Sequence, residues 1–281
     1  MLVETHVHTH YSRRDSVPAE GLSSPAEMID AAIRLGISAI AITDHDVILR
    51  HKTAWKAAAK KDIIVIPGEE VSSSDGHIVA LGISEHIKPG KSAEETVDII
   101  REQAGVAIAP HPFDIGRHGI KTKARLCDAV EVFNALNLDR LANHRSYKWV
   151  TERNLTPVAG SDAHWTEMLG LGTLVFSKRL GTVDEILKAI RKGRHSYRTN
   201  YAPLSVTMNW AIKRVQLSHD HVLRYILENY SGPKKHIYKW LLSATKYSPG
   251  KIDYLFKALS FVGVGSSVVY SATRGKRIMN M

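Results

Sequence analysis

Short continuous apolar runs, rich in Val and Ile, recur along the first part of the chain, and most of them stop at a His, Asp or Glu. Such runs are typical of strands buried on both faces, as in parallel sheets. After an opening run near residue 3, they occupy residues 38–45, 63–70, 77–83, 106–112, 129–134 and 156–164. The pattern predicts a sheet whose strands end in polar, chemically active side chains.

Helix-length amphipathic stretches alternate with these runs, at residues 24–35, 92–104 and 138–153. The first begins with Ser24-Pro25, a helix-start signal, and stops at Gly36. Alternating strands and helices predict an α/β domain, either a barrel or a doubly wound sheet. In both architectures ligands bind at the carboxyl ends of the strands, so we expect the polar residues there to meet in one pocket.

Composition limits the protein to a few classes. At 281 residues, 44% of them hydrophobic, the chain can bury a core as one domain or as one domain with an appendage. Its single cysteine, Cys127, excludes an intramolecular disulfide and a zinc site built from several thiolates. Because the first strand begins by about residue 3, we expect no secretory signal peptide and a cytoplasmic location.

Charge divides the chain near residue 200. From Asn200 onward there are 12 Lys and Arg against 3 Asp and Glu, a net charge of +9 out of +10 for the whole chain. We therefore predict an α/β domain over residues 1–200 and a basic extension over 201–281, with helices at 206–230, 234–247 and 251–262. The longest uncharged run, 258–273, is shorter than the roughly 20 apolar residues of a spanning helix, so no transmembrane segment is predicted.

Three roles are open for the extension. As a structural cap, it would cover the first domain with the apolar stripe of Met208, Ile212 and Val215 and turn its cationic face outward. Its charge would equally suit contact with nucleic acid or with an anionic membrane surface. We favour the cap.

Paired side chains at the strand ends indicate metal chemistry. His6 and His8 stand at i and i+2, so they project from the same side of a strand, and Asp162 and His164 repeat this spacing. Borderline divalent metals take imidazole and carboxylate together. Such ions lower the pKa of bound water toward about 7 and neutralise phosphate charge. The sequence also lacks a P-loop, a dinucleotide fingerprint and a nucleophile elbow, so we predict a metal-dependent phosphoesterase that uses a metal-bridging hydroxide.

The order of the motifs resembles that of the PHP (polymerase and histidinol phosphatase) family of phosphoesterases. The motifs are His6-Val-His8, Thr43-Asp-His45, Gly68-Glu-Glu70-Val-Ser with Gly76-His77, Ala109-Pro-His111-Pro and Gly160-Ser-Asp162-Ala-His164. The resemblance implies a distorted (β/α)7 barrel over the first 200 residues with a trinuclear site for two to three divalent ions, zinc, manganese or iron. Nothing in the resemblance covers the extension.

The resemblance also implies which residues bind each ion. One ion would take His6, His8, Glu70 and Asp162; a second, Glu70, His77 and His111; a third, Asp15, His45 and His164. Glu70, Asp162 and His164 are the expected catalytic residues.

Several neighbouring residues compete for these roles or would support them. Glu70 is preferred to Glu69 because Val71-Ser72 follow it as in the motif, and His10 is a rival of Asp15. Asp44 and Asp46 are expected to orient imidazoles, as ligating histidines usually require. Asn134 ends a strand at the same level and is a candidate for the pocket wall.

The loop after His111 suits a phosphorylated substrate because it is cationic. Arg117 and His118 are the best candidates for holding phosphate, while Arg13, Arg14 and His195 are weaker ones. We expect a small phosphorylated metabolite or short nucleotide as substrate. A nuclease acting on DNA or RNA ends is the alternative, since the basic extension would supply backbone affinity. A non-catalytic scaffolding subunit is disfavoured because all nine ligand positions are filled.

Overall fold

A computed structural model of the chain describes residues 1–12, 17–48, 58, 61–114, 116 and 118–279, with side chains as far as Thr273. Four residues named above, Arg13, Arg14, Asp15 and Arg117, therefore lie outside the described residues.

The strands of the described residues form one sheet in the order β7-β6-β5-β4-β3-β2-β1-β8-β9. They are β1 (Leu2–Glu4), β2 (Ile37–Ile42), β3 (Ile64–Ser73), β4 (Gly76–Leu81), β5 (Val106–Ala109), β6 (Ala129–Asn134), β7 (Pro157–Gly160), β8 (Gly172–Val175) and β9 (Ser196–Thr199). Strands β1–β3 run parallel to one another, and so do β5–β7.

Helices cover this sheet and form the extension. They are α1 (Pro25–Arg34), α2 (Ala93–Glu102), α3 (Arg140–Glu152), α4 (Val183–Arg191), α5 (Leu204–Leu217), α6 (His219–Asn229), α7 (Gly232–Ala244) and α8 (Asp253–Met279). Ser24 and Ser92 begin α1 and α2 with capping boxes, in which the serine hydroxyl accepts a backbone N–H three residues on. The first three predicted helices are thus present within two residues of their predicted ends.

The sheet curls into a nearly closed barrel, which confirms the barrel prediction. Strand β8 approaches the end of β7 so closely that a Cβ on Gly172 would lie 2.3 Å from the carbonyl oxygen of Gly160. The next residue, Ser161, accepts a hydrogen bond from Gly172 N at 2.9 Å. The absence of a side chain at residue 172 therefore lets the two regions meet.

The expectation of parallel strands fails at β4, which is antiparallel to both neighbours. A tight turn between Ser73 and Gly76, rather than a helix, joins β3 to β4, and Gly76 has a φ of +137°. An antiparallel strand starts at the edge where the preceding strand ends. For this reason His77, at the beginning of β4, lies at the same edge as the ends of the parallel strands.

The extension departs from prediction in two places. The helix predicted at 206–230 is broken at Ser218 into α5 and α6. The last predicted helix does not stop at Gly263 but continues to Met279, although a glycine inside a helix costs about 1 kcal/mol relative to alanine. By length and composition alone, the segment Asp253–Thr273 of this helix could cross a membrane. The sequence-based prediction did not indicate this, because it considered only the shorter uncharged run 258–273.

Helix α5 attaches the extension to the barrel, but with a different face from the predicted one. Trp210 packs with α1 and β2 core residues, and its indole Nε1 donates to the carbonyl oxygen of Glu20 at 2.9 Å. The predicted stripe of Met208, Ile212 and Val215 instead lines an apolar cavity of about 520 Å³ between helices of the extension.

Candidate metal centre

The predicted ligand residues that the structure describes converge at one edge of the barrel. His6 and His8 follow β1, His45 follows β2, Glu70 lies in β3, His77 begins β4, His111 follows β5, and Asp162 and His164 follow β7. All eight are buried. Polar groups of this kind are rarely so buried unless they pair or coordinate metals.

Glu70 is the centre of this cluster. Its two carboxylate oxygens lie between 2.9 and 3.3 Å from a ring nitrogen of each of five imidazoles. These imidazoles belong to His6, His8, His45, His77 and His111. A carboxylate in this position can bridge two ions.

Glu69 points to the opposite side of β3, because successive side chains of a strand alternate. Its carboxylate accepts hydrogen bonds from Ile87 N at 2.7 Å and from His86 Nδ1 at 2.8 Å. The structure therefore places Glu70, and not Glu69, in the cluster.

Asp162 supplies a second carboxylate on the same side. Its Oδ1 lies 3.2 Å from His8 Nε2 and 3.6 Å from His6 Nε2, and its Oδ2 accepts a hydrogen bond from Asn134 Nδ2 at 3.1 Å. Asp162 has a φ of +50°, an uncommon backbone conformation for this residue that is found often at functional sites. Asn134 thus lies in the pocket wall, as its place at the end of β6 suggested.

A third carboxylate in the cluster was missed by the sequence analysis. Glu20 is buried, and its carboxylate lies 3.5 Å from His45 Nε2 and 3.6 Å from His164 Nε2. These are the two histidines that Asp15 was expected to join. The rival candidate His10 is exposed and packs against Tyr11 with ring centroids 4.4 Å apart. Glu20 lies in a loop and follows no apolar run, so no local pattern indicated it.

Two residues hold the first histidines in orientation. Glu131 Oε1 lies 2.8 Å from His6 Nδ1, and Ser12 Oγ lies 2.9 Å from His8 Nδ1. Each contact leaves the Nε2 atom of the ring directed at Glu70. Partners of this kind fix the tautomer of a metal-binding imidazole.

The expected partners Asp44 and Asp46 have other roles, so that prediction is wrong. Asp44 accepts hydrogen bonds from the backbone and hydroxyl of Thr9, at 2.5 and 2.7 Å. Asp46 accepts one from Ser72 N at 2.7 Å. Both aspartates fix loops around the cluster rather than imidazole rings.

The charges of the metal-free cluster balance one another. Burial lowers the pKa of His8, but Asp162 and Glu70 raise it to about 9, and His111 has a pKa of about 9 because Glu70 offsets burial in the same way. Burial raises the pKa of Glu70, but the surrounding imidazoles hold it well below its usual range. By contrast, burial holds the pKa of His45 well below the usual value. Protons on the imidazoles thus neutralise the carboxylates, and bound divalent ions could neutralise them in the same way.

The donor set fits divalent metal ions. Three groups have ligand atoms within 4.8 Å of one another: His6, His8 and Glu70; His45, Glu70 and His77; and His8, His45 and His164. The buried Nε2 of His164 makes no hydrogen bond within the described residues, as expected of an atom placed to bind a cation. Imidazole and carboxylate donors suit zinc, manganese or iron. The first group contains three of the four residues predicted for one ion, whereas the other two mix residues that the resemblance divides among separate ions.

A cavity of about 270 Å³ opens beside the cluster, and the extension forms part of its wall. His118 lines it and stacks on His77 with ring centroids 5.1 Å apart. From α5, Trp210 lies 5.1 Å from the ring of His164, and the guanidinium of Arg214 lies 4.6 Å from the centroid of the Trp210 ring. Sequence reasoning missed Trp210 and Arg214, although their i, i+4 spacing places them on one helix face.

His195 is not part of this pocket, contrary to the weaker prediction for it. Its Nε2 bonds to the carbonyl oxygen of Pro157 at 2.9 Å, and Pro157 begins β7, at the end of the barrel opposite the cluster.

Comparisons with known proteins agree with this architecture. A family model described as PHP-associated matches residues 140–195. An uncharacterized protein of Methanocaldococcus jannaschii is 34% identical over 151 residues, which are 51% of this chain and 88% of that protein. The error-prone DNA polymerase of Mycobacterium bovis is 39% identical over 69 residues, which are 25% of this chain and 6% of the polymerase.

A solved structure supports the fold. A two-domain protein of Bacteroides vulgatus, containing a predicted PHP-like metal-dependent phosphoesterase, matches with a TM-score of 0.55 at 19% sequence identity, over 76% of this chain and 70% of that one. At this identity the likeness concerns the fold alone. The match to the M. jannaschii relative covers most of that protein, and the histidine motifs stand in the expected order. Taken with the solved structure, these findings confirm the resemblance: the chain belongs to the PHP (polymerase and histidinol phosphatase) family.

Proposed function

We propose that this protein is a metal-dependent phosphoric ester hydrolase acting on a small phosphomonoester or a short nucleotide. The observation that carries the proposal is the position of Glu70, whose two oxygens are shared among five buried imidazoles. No requirement of folding explains this density of buried ionisable groups, since an apolar core would be as stable or more so.

We assign two to three divalent ions to the cluster. His6, His8, Glu70 and Asp162 would hold one, and Glu70, His77 and His111 a second. His45, His164 and Glu20 would hold a third, with Glu20 supplying the carboxylate expected of Asp15. When bound, such ions generate a hydroxide nucleophile near neutral pH and neutralise charge on the phosphate.

The protein's own residues would position the ligands and the ester. Glu131 and Ser12 keep His6 and His8 in the tautomer that presents Nε2 to an ion. His118 and Arg214 line the cavity beside the cluster and offer donors to phosphate oxygens. Trp210 supplies a flat apolar wall for the rest of the molecule.

The size of the cavity favours a small substrate. At about 270 Å³ it lies just below the range of typical small-molecule pockets, roughly 300–1,000 Å³. A nuclease acting on DNA or RNA ends is the second candidate, supported by the net +9 charge of residues 200–281 and by the similarity to a short part of a DNA polymerase. For an exonuclease, only the terminal nucleotide of the strand would need to enter this cavity.

A substrate screen tests the proposal. The metal-loaded protein is incubated with phosphomonoesters, mononucleotides and labelled oligonucleotides, alongside the variants Glu70→Gln and Glu69→Gln. We expect turnover of a phosphomonoester or short nucleotide that Glu70→Gln abolishes and Glu69→Gln retains. Shortening of oligonucleotides from one end with no turnover of small esters would favour the nuclease. If nothing in the panel reacts with the metal-loaded protein, or if Glu70→Gln stays active, the proposal is wrong.

A further inference from the structure

The outward surface of α8 is unusually apolar. Tyr254, Phe261, Val262 and Val269 are 78%, 59%, 66% and 63% exposed. At 3.6 residues per turn these positions fall within a sector of about 100°, and they extend over about 22 Å of helix. We call these four residues the outer face of α8.

The inward surface of the same helix is mixed: half-buried Phe256 and Val264 line cavities against the rest of the fold, whereas the last described turns are polar. Ser271 is fully buried, its hydroxyl bonds to the carboxylate of Asp139, and Arg145 donates to both its hydroxyl and its carbonyl oxygen. Ser267 is also buried. A helix on a water-soluble surface normally keeps its large apolar side chains on the stripe toward the core, whereas α8 also exposes the four side chains of its outer face. This excess of exposed apolar side chains suits an apolar environment outside the protein.

Other helices of the extension share this excess of exposed apolar side chains. Of the 19 large hydrophobic side chains that are exposed in the described residues, 13 lie in residues 201–281, less than a third of the chain. Besides the outer face of α8, they are Leu217, Tyr225, Leu227, Ile237, Tyr238, Trp240, Tyr247, Leu259 and Tyr270. Tyr and Trp are the side chains that favour the boundary between lipid and water.

Charge identifies the kind of surface that would cover this face. Residues 200–281 carry a net charge of +9, and Lys257 is exposed on the same side of α8. Anionic lipid headgroups attract each nearby Lys or Arg with about 1 kcal/mol. A second copy of the chain would bring two strongly cationic extensions together. Nucleic acid would require several phosphate contacts, whereas the outer face of α8 offers large apolar groups and has the single cation Lys257 beside it.

We propose that the extension is a membrane-binding module, in which the outer face of α8 inserts into the headgroup region of an anionic bilayer. The helix lies in the plane of the membrane and does not span it, because the bonds of Ser271 to Asp139 and Arg145 hold its other side against α3. Lys257 contacts the headgroups, and Tyr254 stands at the interface.

Vesicle binding tests this proposal with the full-length protein. Sedimentation is measured with vesicles of phosphatidylcholine alone and of equal parts phosphatidylcholine and phosphatidylglycerol. We expect affinity for the anionic vesicles to be higher by about tenfold or more, and to fall with added salt. The double variant Phe261→Ser/Val262→Ser should lose about tenfold or more of it, because both side chains leave water on binding.

A matched control separates this face from general surface apolarity. The double variant Ile33→Ser/Leu35→Ser removes two exposed aliphatic side chains at the end of α1 on the barrel, and its vesicle binding should equal that of the wild type. Thermal unfolding of both variants should match the wild type, since the altered side chains are exposed.

Three results would overturn the proposal. One is equal vesicle binding by the wild type and Phe261→Ser/Val262→Ser. A second is salt-sensitive binding to an oligonucleotide with no vesicle binding, which would assign the extension to nucleic acid. The third is a wild-type protein that forms a concentration-dependent dimer and binds no vesicles, while Phe261→Ser/Val262→Ser is monomeric. That result would assign the outer face of α8 to a second copy of the chain.

Discussion

Replacing Glu131 by Gln should damage the metal centre although Glu131 is not a proposed ligand. The buried Glu131 carboxylate is bounded by groups that all present N–H to it. Its Oε1 lies 2.8 Å from His6 Nδ1, and its Oε2 accepts hydrogen bonds from His111 N and Asn134 Nδ2, both at 3.0 Å. A carboxylate accepts on both oxygens, whereas an amide accepts on only one.

Neither orientation of the new amide is satisfactory. If its NH2 faces His6, that imidazole must move its proton from Nδ1 to Nε2, and Nε2 can then no longer bind an ion. If the NH2 faces the other way, it opposes the two donors of His111 and Asn134. We therefore expect metal affinity to fall by about 10- to 100-fold, which corresponds to about 1.4–2.7 kcal/mol. The free energy of unfolding should also fall by about 1–3 kcal/mol for the unsatisfied buried group.

Glu69→Gln is the matched control. Glu69 is equally buried, accepts hydrogen bonds from Ile87 N and His86 Nδ1, and precedes Glu70 in the chain. It should lose stability comparably but bind metal like the wild type in titration calorimetry with zinc or manganese. Glu131 does not support the metal centre in this way if Glu131→Gln binds metal with an affinity within about threefold of the wild type. The same holds if Glu131→Gln and Glu69→Gln weaken metal binding equally.

The stability of the metal-free protein should depend on pH, because folding raises the pKa of His8 and His111 from 6.5 to about 9. The stabilisation that these two groups contribute is complete below pH 6.5 and is lost as the pH rises through 9. Urea unfolding should show a loss of up to about 3 kcal/mol per group, and saturating zinc should abolish this pH dependence. Glu20→Gln should lower bound metal by one ion in elemental analysis, and unchanged metal content would contradict its role. Arg214→Ala should raise KM by about tenfold or more with kcat largely kept, and a fall in kcat alone would refute phosphate binding by Arg214.

Most of the ligand candidates were predictable because they stand at the end of a buried apolar run. In a parallel α/β sheet, a run that ends in His or Asp places that side chain at the ligand-binding edge whatever the details of the loops. His77 shows the limit of this rule. Its run begins rather than ends with the histidine, and only the hairpin between β3 and β4 brings it to the same edge.

The residues that were missed depend on contacts between distant parts of the chain. Glu20 follows no apolar run, and its approach to His45 and His164 results from the path of a loop. Arg214 reaches the cavity because Trp210, one helical turn earlier, packs on the barrel. No local pattern encodes either arrangement.

The boundary predicted near residue 200 follows charge more closely than it follows function. Trp210 packs into a hydrophobic cluster of the barrel, donates to the backbone of Glu20 and lies beside His164, so α5 forms one wall of the cavity. Removing the extension would uncover apolar barrel surface and also take away Arg214. A truncated protein should therefore lose both solubility and the proposed phosphate contact, even though it keeps every proposed metal ligand. In the same extension α8 packs against α3 and α5 and exposes its outer face, so catalysis and membrane contact would use different surfaces of one helical unit.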